Sequence, residues 1–441
     1  MSAVLAGKSF FTAALVAVVA LLATAACASA GSVLEFSHGQ EHVVDDAGAP
    51  VATAAQDPPT GGVAPPPAGT PPTPPPPAPG TSITPGAVGR GTVPAILDQA
   101  LAKGMIGQGE HDGYRADYDK ALQARGSLAG QCRKQLRNVI AHLDAMSRAG
   151  TLTTSRMPAL FLQLRRNTEF WSAHPRVAAA QRVKFAGSEL LFQHYANEGL
   201  QIQPLGNFGK ANGLYTQCLH PTASKPCDKG KLKTLLDELL LIKSVRGSFY
   251  TWEYFFPFDG GTPPWMSGMA QATGVEALAR ASQLFDDKSY ATLAGQMIGA
   301  FKTPPPVGAR VSADGGNHYL IYSFAPRYRV LNAFLQTLIG LYDYIKLTGD
   351  QNAQALFDAG NTAALRELPR YDTGKWAYYS LPAKEQSTYG YMSLVTGFLD
   401  GLCQRTGTSA YCTYAKRWHR YLSKVPAEPV RPLPPMKECG Y

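Results

Sequence analysis

From residue 93 onward the apolar side chains recur at intervals of three and four, and this spacing limits what the chain can fold into. Leu232, Leu235, Leu236, Leu239 and Ile242 form one stripe; Leu331, Phe334, Leu335, Leu338, Tyr342 and Ile345 form a second; Met392, Val395, Leu399 and Leu402 form a third. A turn of 3.6 residues places each set on a single face, as a core-facing helix requires. Further helices fit 112–125, 128–148, 156–171, 176–196, 266–286, 289–301, 350–368 and 410–423. Strand-like alternation is scarce, with short exceptions at 246–258 and 316–324, where Tyr and Phe are dense. Helices joined by turns pair as hairpins, and successive hairpins can close into a ring around a cleft. The expectation is an all-α fold, an α/α barrel (toroid) of helical hairpins over 93–425, with a tail at 426–441.

The first ninety-odd residues follow different rules. Positions 50 to 85 hold 14 of the 34 prolines, and the stretch 31–92 is rich in Pro, Ala, Gly and Thr. Such a composition buries no core and favours extended polyproline conformations, so 31–92 reads as a disordered linker. His38 and His42 fall within it, and no metal site is expected there or elsewhere. Upstream, Lys8 precedes the apolar run Phe10 to Ala23, which reads as a secretory signal peptide over 1–30. Ala28-Ser29-Ala30 suits ordinary cleavage, whereas Thr24-Ala25-Ala26-Cys27 resembles a lipoprotein box that would leave Cys27 as a lipid anchor in a membrane. Both routes place the mature chain outside the cytoplasm: periplasmic, cell-surface or secreted. Six further cysteines suit an oxidising compartment. Cys218 with Cys227 and Cys403 with Cys412 are the short-loop pairings, leaving Cys132 with Cys439; plain buried thiols are the alternative.

Residues 1–95 contain two of the 41 basic and five of the 32 acidic side chains, leaving 39 and 27 beyond them, a net charge of +12. The chain has no glycine-rich dinucleotide or phosphate loop, no HExxH and no GxSxG elbow, and its nine His are scattered. Hydride transfer, phosphoryl transfer and zinc hydrolysis each lack their usual equipment. No cofactor and no nucleic-acid partner is expected. The conspicuous residue is tyrosine, with 21 copies clustered at 246–258, 319–328 and 371–391. A phenol can exchange protons when nearby cations lower its pKa, and Arg246, Arg327, Arg329 and Lys375 are close in sequence to these clusters. Core packing is the competing use of the same aromatics.

Four segments then resemble, in order, the C-terminal domain of the D-glucuronyl C5-epimerase family. They are Pro263-Pro264-Trp265-Met266-Ser267-Gly268-Met269-Ala270-Gln271, Val330-Leu331-Asn332-Ala333-Phe334 with Leu338 to Asp343, Leu368 to Gly374 with Tyr379-Ser380-Leu381, and Lys416-Arg417-Trp418 to Leu422. The resemblance is clear over 246–423. Residues 95–245 look like the helical lead-in of bacterial members, and the β-rich domain that precedes this region in animal members has no visible counterpart.

The resemblance implies an incomplete α/α barrel and an isomerase that inverts C5 of a uronic acid in a polysaccharide, glucuronate to iduronate in heparan-type chains. That chemistry removes a weakly acidic proton α to a carboxylate and returns one to the opposite face, so it needs an acid, a base and donors for the enolate charge. It implies Tyr322, Tyr379 and Tyr389 as acid/base residues, and Asn332, Trp265 and Gln271 as substrate contacts. Arg327, Arg329 and Glu253 are further substrate-side candidates, and the basic body suits an acidic polysaccharide. Three departures stand out. Ile321 occupies the position of the family's Glu, Pro382 that of its Arg, and Tyr389-Gly390-Tyr391-Met392-Ser393 lacks the two His of the matching segment. Either the Tyr pairs do the work alone, or Glu253 or Asp259 from the 246–259 loop replaces the lost carboxylate, or the substrate differs. A polysaccharide lyase-like elimination, or a non-catalytic glycan-binding or envelope protein with this fold, would fit the same residues.

Overall fold

The computed structural model describes residues 33–37, 40–44 and 83–426. Four helical hairpins form the body. Their inner helices are α5 (Pro204–Leu219), α7 (Gly268–Phe285), α10 (Leu331–Thr348) and α12 (Tyr389–Thr406); their outer partners are α6 (Lys229–Leu241), α8 (Lys288–Met297), α11 (Gln351–Tyr371) and α13 (Ser409–Leu422). Each inner helix packs on its own outer partner, and α7 also packs on α5 and α10, as α10 does on α12. This succession is the incomplete α/α barrel expected. Buried residues run around most of α7 and α10, the pattern of helices enclosed on every side. Close approach is built in at Gly340, where a Cβ would lie 2.5 Å from the Ala272 carbonyl oxygen. A four-residue helix, α9 (Gly299–Lys302), follows α8.

Ahead of the hairpins lie α1 (Val93–Ala102), α2 (Gln108–Ser127), α3 (Gly130–Ala149) and α4 (Met157–Ser172). Beside them is a five-stranded sheet in the order β2-β1-β3-β4-β5. Its strands are β1 (Val33–Ser37), β2 (Gln40–Val44), β3 (Arg182–Phe185), β4 (Leu191–Tyr195) and β5 (Gly199–Ile202), with β1 parallel to β3 and the other pairs antiparallel. Asn207 on α5 ties the sheet to the barrel, exchanging hydrogen bonds with the Leu191 backbone.

The sheet corrects two expectations. Residues 176–196 are not a helix: Arg182 to Phe185 alternates partly and fully buried positions, and Gly187 at φ 75° turns the chain between β3 and β4. Residues 33–37 and 40–44, within the stretch expected to be linker, pair as β1 and β2, because Val33, Leu34 and Phe36 find a core; Phe36 packs edge-on to Phe170 and Phe185. Helix α5 was not expected, since Gly206, Gly209 and Gly213 dilute its helical signal. Residues 45–82, the signal segment, Cys27, His38 and the tail beyond 426 lie outside the described residues.

The disulfides Cys218–Cys227 and Cys403–Cys412 form as paired above, and Cys132 is disulfide-bonded too; its expected partner Cys439 lies outside the described residues. These cross-links fit an extracellular protein. Among the described residues no helix is long and apolar enough to cross a membrane.

Candidate active site

Successive inner helices run the same way, so the segments leading into α7, α10 and α12 meet at one end of the barrel. Short ladders join them: β6 (Ser244–Arg246) with β7 (Phe249–Thr251), β8 (Arg310–Ala313) with β9 (Gly316–Tyr319), and β10 (Arg329–Val330) with β11 (Ser380–Leu381). A bridge pairs Ser267, the N-cap of α7, with Tyr322. The tyrosine clusters, far apart in sequence, converge here.

Tyr322 and Tyr379 come together. Both are buried, at 1% and 7% exposure, and neither hydroxyl completes a well-formed hydrogen bond within the protein. Burial pushes both phenols well above their ordinary pKa, with neighbouring tyrosines pushing the same way; the Tyr379 hydroxyl pulls Tyr322 only partly back. Two tyrosines not singled out from sequence complete the group. Tyr328 lies parallel to Tyr322 at 6.4 Å between centroids and 6.2 Å from Tyr379. Tyr391 packs edge-on to Tyr379 at 4.5 Å; its hydroxyl donates to the Tyr379 carbonyl and accepts from the Asn332 backbone N–H. Both belong to the tyrosine-dense stretches, which was the signal for them.

Tyr389 does not join this group. It begins α12, half-buried, with its ring beside Trp376 at 6.4 Å. Two residues further along the helix, Tyr391 takes the inward position. The expectation that cations lower the tyrosine pKa is also corrected. Arg246 is spent on Glu253 and three carbonyls, Lys375 is exposed, and Arg327 and Arg329 lie in a neighbouring groove. At neutral pH the clustered phenols therefore carry their protons and can donate them.

Three expected substrate contacts have structural duties instead. Trp265 is 1% exposed, stacked on Tyr254 at 4.2 Å, ringed by Phe256, Phe258, Tyr322 and Phe324, and donates to the Phe256 carbonyl; no ring face is open to a sugar. Gln271 spans the Tyr250 and Met297 carbonyls. Glu253 is buried between Arg156 and Arg246, at 2.6 Å and 2.5 Å. Burial alone would raise its pKa, but the two guanidinium groups outweigh that and hold it below the usual carboxylate range. It cannot serve as a base for substrate. Asn332 is fully buried; its Oδ1 accepts from the Ala333 N–H and its Nδ2 has no partner. Asp259 stands exposed at the rim, its pKa raised by burial of part of the side chain and by Glu385 nearby.

The β10/β11 ladder also lines a groove of about 220 Å³ with Pro326, Arg327, Arg329, Arg370, Leu381 and Pro382. Arg329 is held by Asp314 and by the buried Glu367, both at 3.1 Å, and Arg370 also reaches Asp314. Glu367 in turn receives the buried His318 at 2.9 Å. Arg327 makes no ion pair among the described residues and points its charge to solvent. Three guanidinium groups against one half-exposed and one buried carboxylate leave the groove cationic.

Residues 246–420 match the model of the D-glucuronyl C5-epimerase C-terminus, the segment that supplies Tyr322, Tyr379, Tyr391 and the groove. This segment is similar to that family's C-terminal domain. A D-glucuronyl C5-epimerase of Caenorhabditis elegans is 37% identical over 132 residues, covering 27% of this chain and 21% of the relative. The uncharacterized protein MJ1128 of Methanocaldococcus jannaschii is 28% identical over 179 residues, covering 39% of this chain and 58% of its own. The chain thus spans about a fifth and just over half of these relatives. Among solved structures, a cellobiose 2-epimerase of Spirochaeta thermophila superposes with a TM-score of 0.39 and 11% identity over 68% of this chain and 75% of that one. A GH76 α-mannanase of Bacteroides thetaiotaomicron gives 0.39 and 13% over 54% and 65%.

Proposed function

We propose that the protein is an exported carbohydrate epimerase that inverts C5 of a uronic acid within an acidic polysaccharide, glucuronate to iduronate in type. The observation that carries this reading is that the family-matching segment is the one whose loops bring Tyr322 and Tyr379 together as protonated, unpaired phenols. Buried polar groups without partners are uncommon, and a pair of them at the head of the inner helices suits a reaction in which a proton must be given. The cationic groove on the same ladder suits the carboxylates of such a polymer, with Arg327 and Arg329 as binding residues and Arg370 joining them. The arginines stand on the side where Pro382 replaces the family's Arg. The cross-links support a secreted or surface location, reached through the segment 1–30, with Cys27 as the lipid attachment in the lipoprotein route.

The test is incubation with a glucuronate-containing polymer in deuterated water. An epimerase places deuterium at C5 and yields iduronate. A lyase yields an unsaturated uronate that absorbs in the ultraviolet. One observation favours the non-catalytic glycan-binding reading: both reactive hydroxyls are shielded from solvent, so a sugar reaches them only if covering side chains move. Binding of the polymer with neither deuterium uptake nor absorbance would select that reading.

A further inference from the structure

The phenols of the cluster hold their protons, so the epimerase reading lacks a base. We propose that Glu385 is that base, taking the C5 proton of the uronate on its unengaged oxygen; the assignment rests on the epimerase reading above and deepens it. The family's Glu position is filled by Ile321, an apolar side chain buried in the core. Glu253 is locked between two arginines, and Glu367 is enclosed by His318 and Arg329. Glu385 is different. It is half-buried on the loop that returns from β11, tied to the cluster where the Tyr379 N–H donates to the Glu385 carbonyl at 2.6 Å. Its Oε2 accepts from the Tyr328 hydroxyl and from Ser380 Oγ, both at 2.8 Å. Its Oε1 accepts no hydrogen bond among the described residues. Two donors thus fix the carboxylate while one oxygen stays free at the rim of the cluster, the arrangement a general base needs.

The proton balance closes with these residues and water. The C5–H bond breaks, its electron pair passes into the carboxylate-stabilised enediolate, and the proton forms an O–H bond on Glu385. A phenol of the buried pair, Tyr379, gives its proton to the other face of C5, re-forming C5–H with inverted configuration and leaving a phenolate. After turnover the Glu385 carboxylic acid releases its proton to water and the Tyr379 phenolate takes one from water, so both groups reset and solvent hydrogen enters at C5.

The experiment measures deuterium uptake at C5 of a heparan-type glucuronate polymer in D2O, using the full chain. Glu385→Gln keeps an oxygen to accept from Tyr328 and Ser380 but cannot take a proton, so uptake should fall about a thousandfold with an unchanged thermal midpoint. Glu385→Asp should retain partial activity, and formate should restore part of the uptake to Glu385→Ala, which a purely structural role would not allow. Uptake by Glu385→Gln within threefold of wild type, or no rescue of Glu385→Ala by formate, would overturn the assignment and leave the epimerase reading standing. Absence of uptake by the wild type itself would overturn the epimerase reading, and Glu385's role with it.

Discussion

Residues of the same type serve opposite ends in this molecule, and their partners decide which. Glu253 and Glu385 are both carboxylates near the tyrosine cluster. The first is saturated by Arg156 and Arg246 and closed to solvent; the second keeps an oxygen free. Glu253→Gln should therefore act on stability, leaving the buried Arg156 and the half-buried Arg246 without a counter-charge at a cost of about 3 kcal/mol. Denaturant unfolding would check this. The pH dependence has a definite sign. The native pKa of Glu253 lies below its unfolded value, so its contribution is full above the unfolded value and is lost as pH falls through the native one. The variant should lose that share of the acid sensitivity. At this scale the sequence was legible in part. Tyr322 and Tyr379 were found because motif residues flank them. Tyr391 was missed in favour of Tyr389 because both sit in one tyrosine-rich turn, and only the rotation of α12 decides which faces inward.

Between elements, the inner helices are joined by a polar network as well as by apolar packing. Glu276 on α7 lies among Asn212 of α5, Gln336 and Asp343 of α10, and Arg280, with Arg405 of α12 bound to Asp343. Burial raises Glu276 to a pKa of about 8, outweighing Arg280, while Asp343 is held low, its own burial overcome by Arg405 and Glu276. A carboxyl that keeps its proton in the native state but loses it in the unfolded chain stabilises the fold fully below its unfolded pKa, and that stabilisation is lost as pH rises through the native one. Unfolding free energy should thus decline between about pH 4.5 and 8, and Glu276→Gln should flatten the decline; chemical denaturation at several pH values reads this directly. Helical periodicity revealed α7, α10 and α12 because their apolar stripes are long. It failed at 176–196, where Ala178-Ala179-Ala180 and well-spaced apolar residues imitate a helix while Gly187 and non-local pairing with β1 impose strands. Pairing between residues some 150 positions apart leaves little local trace.

For the whole molecule, the disulfide Cys403–Cys412 staples α12 to α13 at the end of the barrel, across a sequence separation of 9. Replacing both by Ser should lower stability by about 2.5 kcal/mol through the freed unfolded chain, without altering the tyrosine cluster at the far end of α12. A thermal or denaturant midpoint, taken with an activity measurement, separates the two effects. The barrel itself was legible from the stripes, and the site end from the family motifs. The arginine groove was half-legible: Arg327 and Arg329 are adjacent to Tyr328, whereas Arg370 arrives from the end of α11 through Asp314. The central claim is that Tyr322 and Tyr379 supply the proton that inverts C5. Its most direct test is deuterium uptake at C5 of a glucuronate polymer in D2O by the wild type, Tyr322→Phe and Tyr379→Phe, with unfolding followed in parallel. Each substitution removes a hydroxyl that has no well-formed hydrogen bond to lose, so the fold should be about as stable as before. Tyr379→Phe should cut uptake by about a hundredfold or more. Wild-type uptake that persists undiminished in both Phe variants would contradict the account.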